Sequence, residues 1–116
     1  MPAGSCLFCR IVSGKEIADI LYSDEGIVAF RDIRPVAPVH ILIVPTRHMA
    51  SLHELQESDA GLLDRLTSVA RDIAAREGVD SSGYRLVINT GMDAGQSVFH
   101  LHMHLIGGRR MSWPPG

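Results

Sequence analysis

The stretch "VFHLHMHLIGGRR" at 98–110 sets His100, His102 and His104 at every second position, with Phe99, Leu101, Met103 and Leu105 between them. Extended backbone sends residues i, i+2 and i+4 to one face, whereas a helix would scatter them around its axis. The spacing therefore predicts a strand over 98–106, stopped by Gly107 and Gly108. One face belongs to a core. The other presents three titratable, nucleophilic, metal-capable rings.

The rest of the chain supplies the sheet and core that such a strand needs. Segments 27–32, 39–45 and 84–90 ("IVAFRD", "VHILIVP", "YRLVINT") read as strands, rich in β-branched and apolar residues and bounded by Gly, Pro or Asp; 20–24 is a shorter candidate. Leu62, Leu63, Leu66, Val69, Ala70, Ile73 and Ala74 keep helical spacing, so a helix is expected over 59–77, capped by Ser58 and stopped by Gly78. A short helix around 51–55 is weakly signalled. With no repeat or linker in view, residues 1–116 form a single domain of the α+β class: a mainly antiparallel sheet of about five strands with one long and one short helix.

Composition narrows the function. Net charge is −2, and Lys and Arg are scattered, which argues against a nucleic-acid partner. No apolar run reaches the ~18–20 residues of a membrane span. The opening "MPAGSCLFC" has no basic region followed by an apolar one, so the chain reads as cytoplasmic. There a C-x-x-C, here Cys6 and Cys9, suggests metal or redox chemistry more than a structural disulfide.

Three readings of the histidines compete. They could be a polar strand face and nothing more, although three in register argue against that. All three could bind one metal ion, but His100 and His104 would lie ~13 Å apart at ~3.3 Å per residue, against Zn–N bonds of ~2 Å. The third is a nucleophilic imidazole with neighbours that orient it and protonate a leaving group. The preceding loop "NTGMDAGQSV" (89–98) favours the third. Its glycines permit amides to turn inward around an anion, and Asn89, Gln96 and Ser97 add donors. Transfer of a phosphorus group needs such donors on the non-bridging oxygens.

"HLHMHLI" resembles the His-φ-His-φ-His-φ-φ motif (φ apolar) of the histidine triad nucleotide-binding family. "GQSVFHLHMHLIGGRRMSWPPG" is similar to the C-terminal half of its Hint branch, and "AFRDIRPVAPVHILIVPTRH" (29–48) to that branch's second block. The resemblance implies the HIT fold and a homodimer whose sheet continues across the interface. It implies hydrolysis of purine nucleoside 5′-phosphoramidates and related adenylates, with no cofactor in the reaction itself. His102 would be the nucleophile that becomes nucleotidylated. His104 and Ser97 would contact the phosphate and assist departure of the amine, and His40 would support the histidines from the adjacent strand. Asn89, Gly95, Gln96, Ser97 and Val98 would surround phosphate oxygens, and Asp32 would bind the ribose hydroxyls. Phe8, Ile11, Ile17, Phe30 and Ile33 would form the slot for the base; without the resemblance these five read as ordinary core. Trp113 would reach the leaving group at the partner's site.

"CLFCRI" (6–11) departs from the animal Hint pattern and resembles prokaryotic triad proteins, in which two cysteines and two histidines bind structural zinc. The matching set is Cys6, Cys9, His48 and His100. The alternative is a reduced, metal-free cysteine pair. His53 has no assigned role and is expected on a solvent-facing helix. Two other functions stay open: a dinucleoside polyphosphate hydrolase of the Fhit type, against which the "WPPG" ending speaks, and a nucleotide-binding scaffold with incidental turnover.

Overall fold

A computed structural model describes residues 3–116. The elements run α1 (Leu7–Val12), β1 (Ile20–Ser23), β2 (Ile27–Arg31), β3 (Val39–Pro45), α2 (Leu62–Arg76), β4 (Tyr84–Val87) and β5 (Met103–Gly107). The strands form one antiparallel sheet in the order β1-β2-β3-β5-β4. This is the α+β architecture expected. No helix among the described residues is long and apolar enough to cross a membrane.

β3 sits at the centre of the sheet and is buried along its whole length, which explains its unbroken apolar run. Its odd-numbered residues Val39, Ile41 and Ile43 join Ile27, Ala29, Met103 and Leu105 under α2, whose Leu66, Val69, Ala70 and Ile73 close the larger core. Its even-numbered residues Leu42 and Val44 face the other way, joining Val28 and Phe30 against Phe8 and Ile11 of α1. His40 is on that second face. In the register Leu42 pairs with His104 and His40 with Ile106, which brings His40 and His104 to diagonal positions on one side of the sheet.

Several boundaries differ from the sequence expectation. The last strand covers Met103–Gly107 rather than 98–106. Before it the backbone leaves the ladder: Leu101 N–H bonds the Met49 carbonyl at 2.7 Å, and a side chain takes the His100 carbonyl. β4 ends at Val87, opposite His104 and one residue from the start of its partner strand. The long helix starts at Leu62, and Ser58 does not cap it. Instead 57–59 form a separate 3-10 turn in which the Asp59 carboxylate accepts the Gln56 N–H, and Gly61 at φ 85° turns the chain into the helix. The 51–55 helix is one 3-10 turn, Leu52–Glu54, carrying exposed His53. Helix α1, unforeseen from the sequence, is six residues long with Cys6 Sγ accepting the Cys9 N–H at its start.

Candidate functional site

The alternation of 100, 102 and 104 survives the loss of regular strand, but the three rings have different surroundings. His100 is fully buried. Its Nε2 lies 2.8 Å from the Pro45 carbonyl, so the neutral ring donates there and keeps its lone pair on Nδ1. That Nδ1 is 3.4 Å from Cys6 Sγ, 3.5 Å from Cys9 Sγ and 3.2 Å from His48 Nδ1; Cys9 Sγ is 3.2 Å from His48 Nδ1. All four donor atoms lie within 4.8 Å of one another. Bonds of about 2.0–2.3 Å at tetrahedral angles place ligand atoms about 3.3–3.8 Å apart, and the separations of 3.2, 3.2, 3.4 and 3.5 Å among these donors lie close to that range. Burial first, then Cys6, pushes the Cys9 thiol up to about 11. A bound cation reverses that direction by favouring the thiolate.

His102 uses its ring the other way round. Nδ1 lies 2.7 Å from the His100 carbonyl, so it donates there and leaves the lone pair on Nε2. Burial lowers its pKa, opposed by that hydrogen bond and by the Asp32 charge. The ring packs edge-on against Phe8, with centroids 5.0 Å apart, and stands 4.9 Å from His104. His104 is held down to about 4, by burial first and then by His102 and His40. His40 Nε2 is 2.9 Å from His104 Nδ1 and 3.5 Å from an Asp32 carboxylate oxygen, while its Nδ1 accepts the Val36 N–H at 3.1 Å. Burial lowers the His40 pKa too, with Asp32 opposing. Asp32, His40 and His104 also lie close enough to hold a cation. The His40–His104 hydrogen bond uses the nitrogens such an ion would need.

These side chains open onto a cleft of about 260 Å³ lined by Phe8, Ile11, Phe30, Asp32, Ser97, Val98, His102 and His104, with Ile17 and Ile33 also on its walls. Phe8, Ile11 and Phe30 are buried, whereas Ile17 is 100 % and Ile33 86 % exposed; the five therefore divide into floor and rim. A wider opening of about 610 Å³, between 82–85 and 108–111, shares no residue with the histidines.

The loop is built differently from the expectation. Gly95, at φ 86°, makes a turn in which its N–H bonds the Met92 carbonyl at 2.9 Å, and neither it nor Asn89 lines the cleft. Gln96 is buried and points into the protein. Its oxygen accepts the Gly91 N–H at 2.9 Å, and its amide nitrogen donates to the Ala50 carbonyl at 2.7 Å and the Val98 carbonyl at 3.1 Å. Ser97 and Val98 do line the cleft. Trp113 is 81 % exposed and does not line this chain's cleft. The contributions of the Val36 amide and the Pro45, Ala50 and His100 carbonyls were not legible beforehand, because backbone groups are common to every residue. Leu42 on the cleft wall was missed, although its alternation with His40 was a signal that could have found it.

A neutral imidazole with a fixed tautomer, a second ring beside it and a carboxylate nearby make a histidine-lined cleft, set next to a Cys/His group that could hold a metal ion. The family model described as scavenger mRNA decapping enzyme C-term binding matches residues 5–113. An uncharacterized HIT-like protein of Synechococcus elongatus is 48 % identical over 110 residues, covering 95 % of this chain and 96 % of that protein. The crystal structure of a HIT family hydrolase from Legionella pneumophila superposes with a TM-score of 0.94 at 46 % identity, covering 97 % of this chain and 100 % of the other. That of a Zn-bound histidine triad family protein from Mycobacterium smegmatis gives 0.80 at 31 % identity, covering 97 % and 81 %. The chain belongs to the HIT family, and its sheet is the HIT fold.

Proposed function

We propose that the protein hydrolyses purine nucleoside 5′-phosphoramidates and related adenylates through a nucleotidyl-His102 intermediate. The observation that carries this reading is the His102 tautomer: with Nδ1–H given to the His100 carbonyl at 2.7 Å, a lone pair remains on Nε2 of a ring lining the cleft. In the first step Nε2 forms a bond to the α-phosphorus and the P–N bond breaks. The departing amine needs a proton. His104 is the group to deliver it, with Ser97 beside it: a phosphate anion in the cleft adds the charge that raises a histidine pKa, so the ring can gain a proton on substrate binding. Water then attacks phosphorus, the N–P bond breaks, and the proton balance is restored as water gives one up. Two inversions give net retention.

Ser97 and Val98 would face the phosphate, Asp32 the ribose, and Phe8, Ile11 and Phe30 the base, with Ile17 and Ile33 at the rim. Asn89 and Gly95 would act by shaping the loop. Zinc fits the Cys6, Cys9, His48 and His100 set, and a histidine triad relative is described as Zn-bound. There it would tie the N-terminal segment to the strand that bears the nucleophile. A homodimer would cover the β4 edge, where Leu86 is exposed, and bring Trp113 to the partner's cleft.

Rapid-quench mass spectrometry with a slow adenosine phosphoramidate tests the mechanism. An adduct of AMP mass on His102, with retention at phosphorus, is expected. No adduct, or inversion, overturns it. Faster turnover of diadenosine polyphosphates than of phosphoramidates would move the substrate to the P–O–P class.

A further inference from the structure

Gln96 stands in the middle of the anion loop, yet its side chain turns away from the cleft. It is 5 % exposed, and both hydrogens of its amide are spent on protein carbonyls, those of Ala50 and Val98. Its oxygen holds the Gly91 N–H at the other end of the loop. Ala50 is two residues beyond His48, a member of the Cys/His group, and Met49 between them accepts the Leu101 N–H at 2.7 Å. Leu101 separates His100, in the same group, from His102. The two histidine-bearing segments of the metal group are thus bonded to each other, and Gln96 bonds one of them to the loop that carries Ser97 and Val98.

We infer that Gln96 is a positioning residue that couples the Cys6/Cys9/His48/His100 site to the nucleotide cleft, so that a divalent zinc ion and a nucleoside monophosphate each tighten the binding of the other. The inference rests on the nucleotide and zinc readings above. A cation drawing four donors together fixes the position of 48–50. The Ala50 carbonyl, held by Gln96, then fixes Gly91 and Val98, and with them the loop against which a phosphate would sit. A buried amide suits this task because every bond it makes is directional and costly to leave unmade. Linkage makes the effect reciprocal: the factor by which zinc improves AMP affinity must equal the factor by which AMP improves zinc affinity.

The test uses the full chain, zinc and AMP, with no turnover involved. Zinc affinity is measured by competition with a chromogenic chelator, with and without saturating AMP, and AMP affinity by calorimetry on the metal-free and zinc-loaded protein. In the wild type both routes should give the same coupling, at least about fivefold. Gln96→Glu keeps the shape but loses both donors, and Gln96→Met loses all polar capacity; in each the coupling should collapse toward one while zinc still binds. His53→Ala, on an exposed turn outside both sites, should retain the full factor. A wild-type coupling of one, with both ligands bound, overturns this inference and leaves the proposed function standing. Undiminished coupling in both Gln96 variants overturns the assignment to Gln96. Failure of AMP or of zinc to bind at all overturns the corresponding part of the proposed function, and this inference with it.

Discussion

His100 and His102 are two residues apart, both buried, and both have pKa values lowered chiefly by burial, yet they belong to different sites. His100 donates from Nε2 to the Pro45 carbonyl and turns Nδ1 toward two sulfurs and a second histidine. His102 donates from Nδ1 to the His100 carbonyl and keeps Nε2 for the cleft. On the proposed reading the same side chain would serve as a ligand in one region and as a nucleophile in the other, and one hydrogen bond to a backbone carbonyl would make the difference. The tautomer is the device, because it decides which nitrogen retains the lone pair.

The comparison is broken most sharply by removing each ring in turn. His102→Ala should lower kcat by at least about 10³-fold while AMP binding stays measurable, since the loop and Asp32 remain. His100→Ala keeps the backbone carbonyl that orients His102, so turnover should fall by roughly tenfold or less. Zinc content should instead drop from about one per chain to none. Steady-state kinetics, calorimetry and metal analysis on the two variants decide it. Equal kinetic losses would erase the distinction between the sites.

The next effect is on stability. A ligand at about 100 times its Kd adds about 2.7 kcal/mol, which at this chain length is worth about 10 °C in Tm. Chelation, or Cys6→Ser, should lower Tm by about that much while turnover well below the transition changes less. Thermal unfolding with and without chelator is the measurement. An unchanged Tm in a sample shown to contain zinc would refute a structural role for the ion.

A smaller, more specific effect is on pH dependence. With an activated leaving group that departs without a proton, kcat/KM should stay flat as pH falls through 6.5, the ordinary histidine value, and decline only below it, because His102 must be neutral to attack. For stability the sign is the same. Histidines whose folded pKa lies below the unfolded value contribute fully above about 6.5, and the contribution is lost as pH falls toward about 4, the folded value of His104. A pH series of rates and of Tm checks both. A kinetic break at 6.5 would place the cleft in a more solvated setting than the buried rings indicate.

The mildest prediction concerns the tail. Deleting residues 112–116, which removes the exposed Trp113, should shift preference among amine leaving groups by a few fold and leave AMP affinity unchanged. Light scattering at micromolar concentration should report a dimer, in which the tail could reach a second cleft. A monomer with unaltered leaving-group preference would confine the site to one chain.

The sequence by itself determined which residues share a face. Alternation at 98–106 put three imidazoles on the side opposite Leu101, Met103 and Leu105, and those three are indeed in the core under α2, even though the ladder covers only Met103–Gly107. Helical spacing fixed the buried stripe of α2 except at Leu63, which is 40 % exposed in the first turn, and its start was misplaced by a local turn at 57–59. Such patterns are legible because period is a local property of the backbone. Tertiary structure alone decided that Gln96 points inward, that Gly95 spends its N–H within a turn, and that His100 and His102 hold opposite tautomers. Their partners are the carbonyls of Ala50, Met92, Pro45 and His100. A backbone carbonyl has no residue-specific signature, so which one a buried side chain meets is known only once remote segments are packed together.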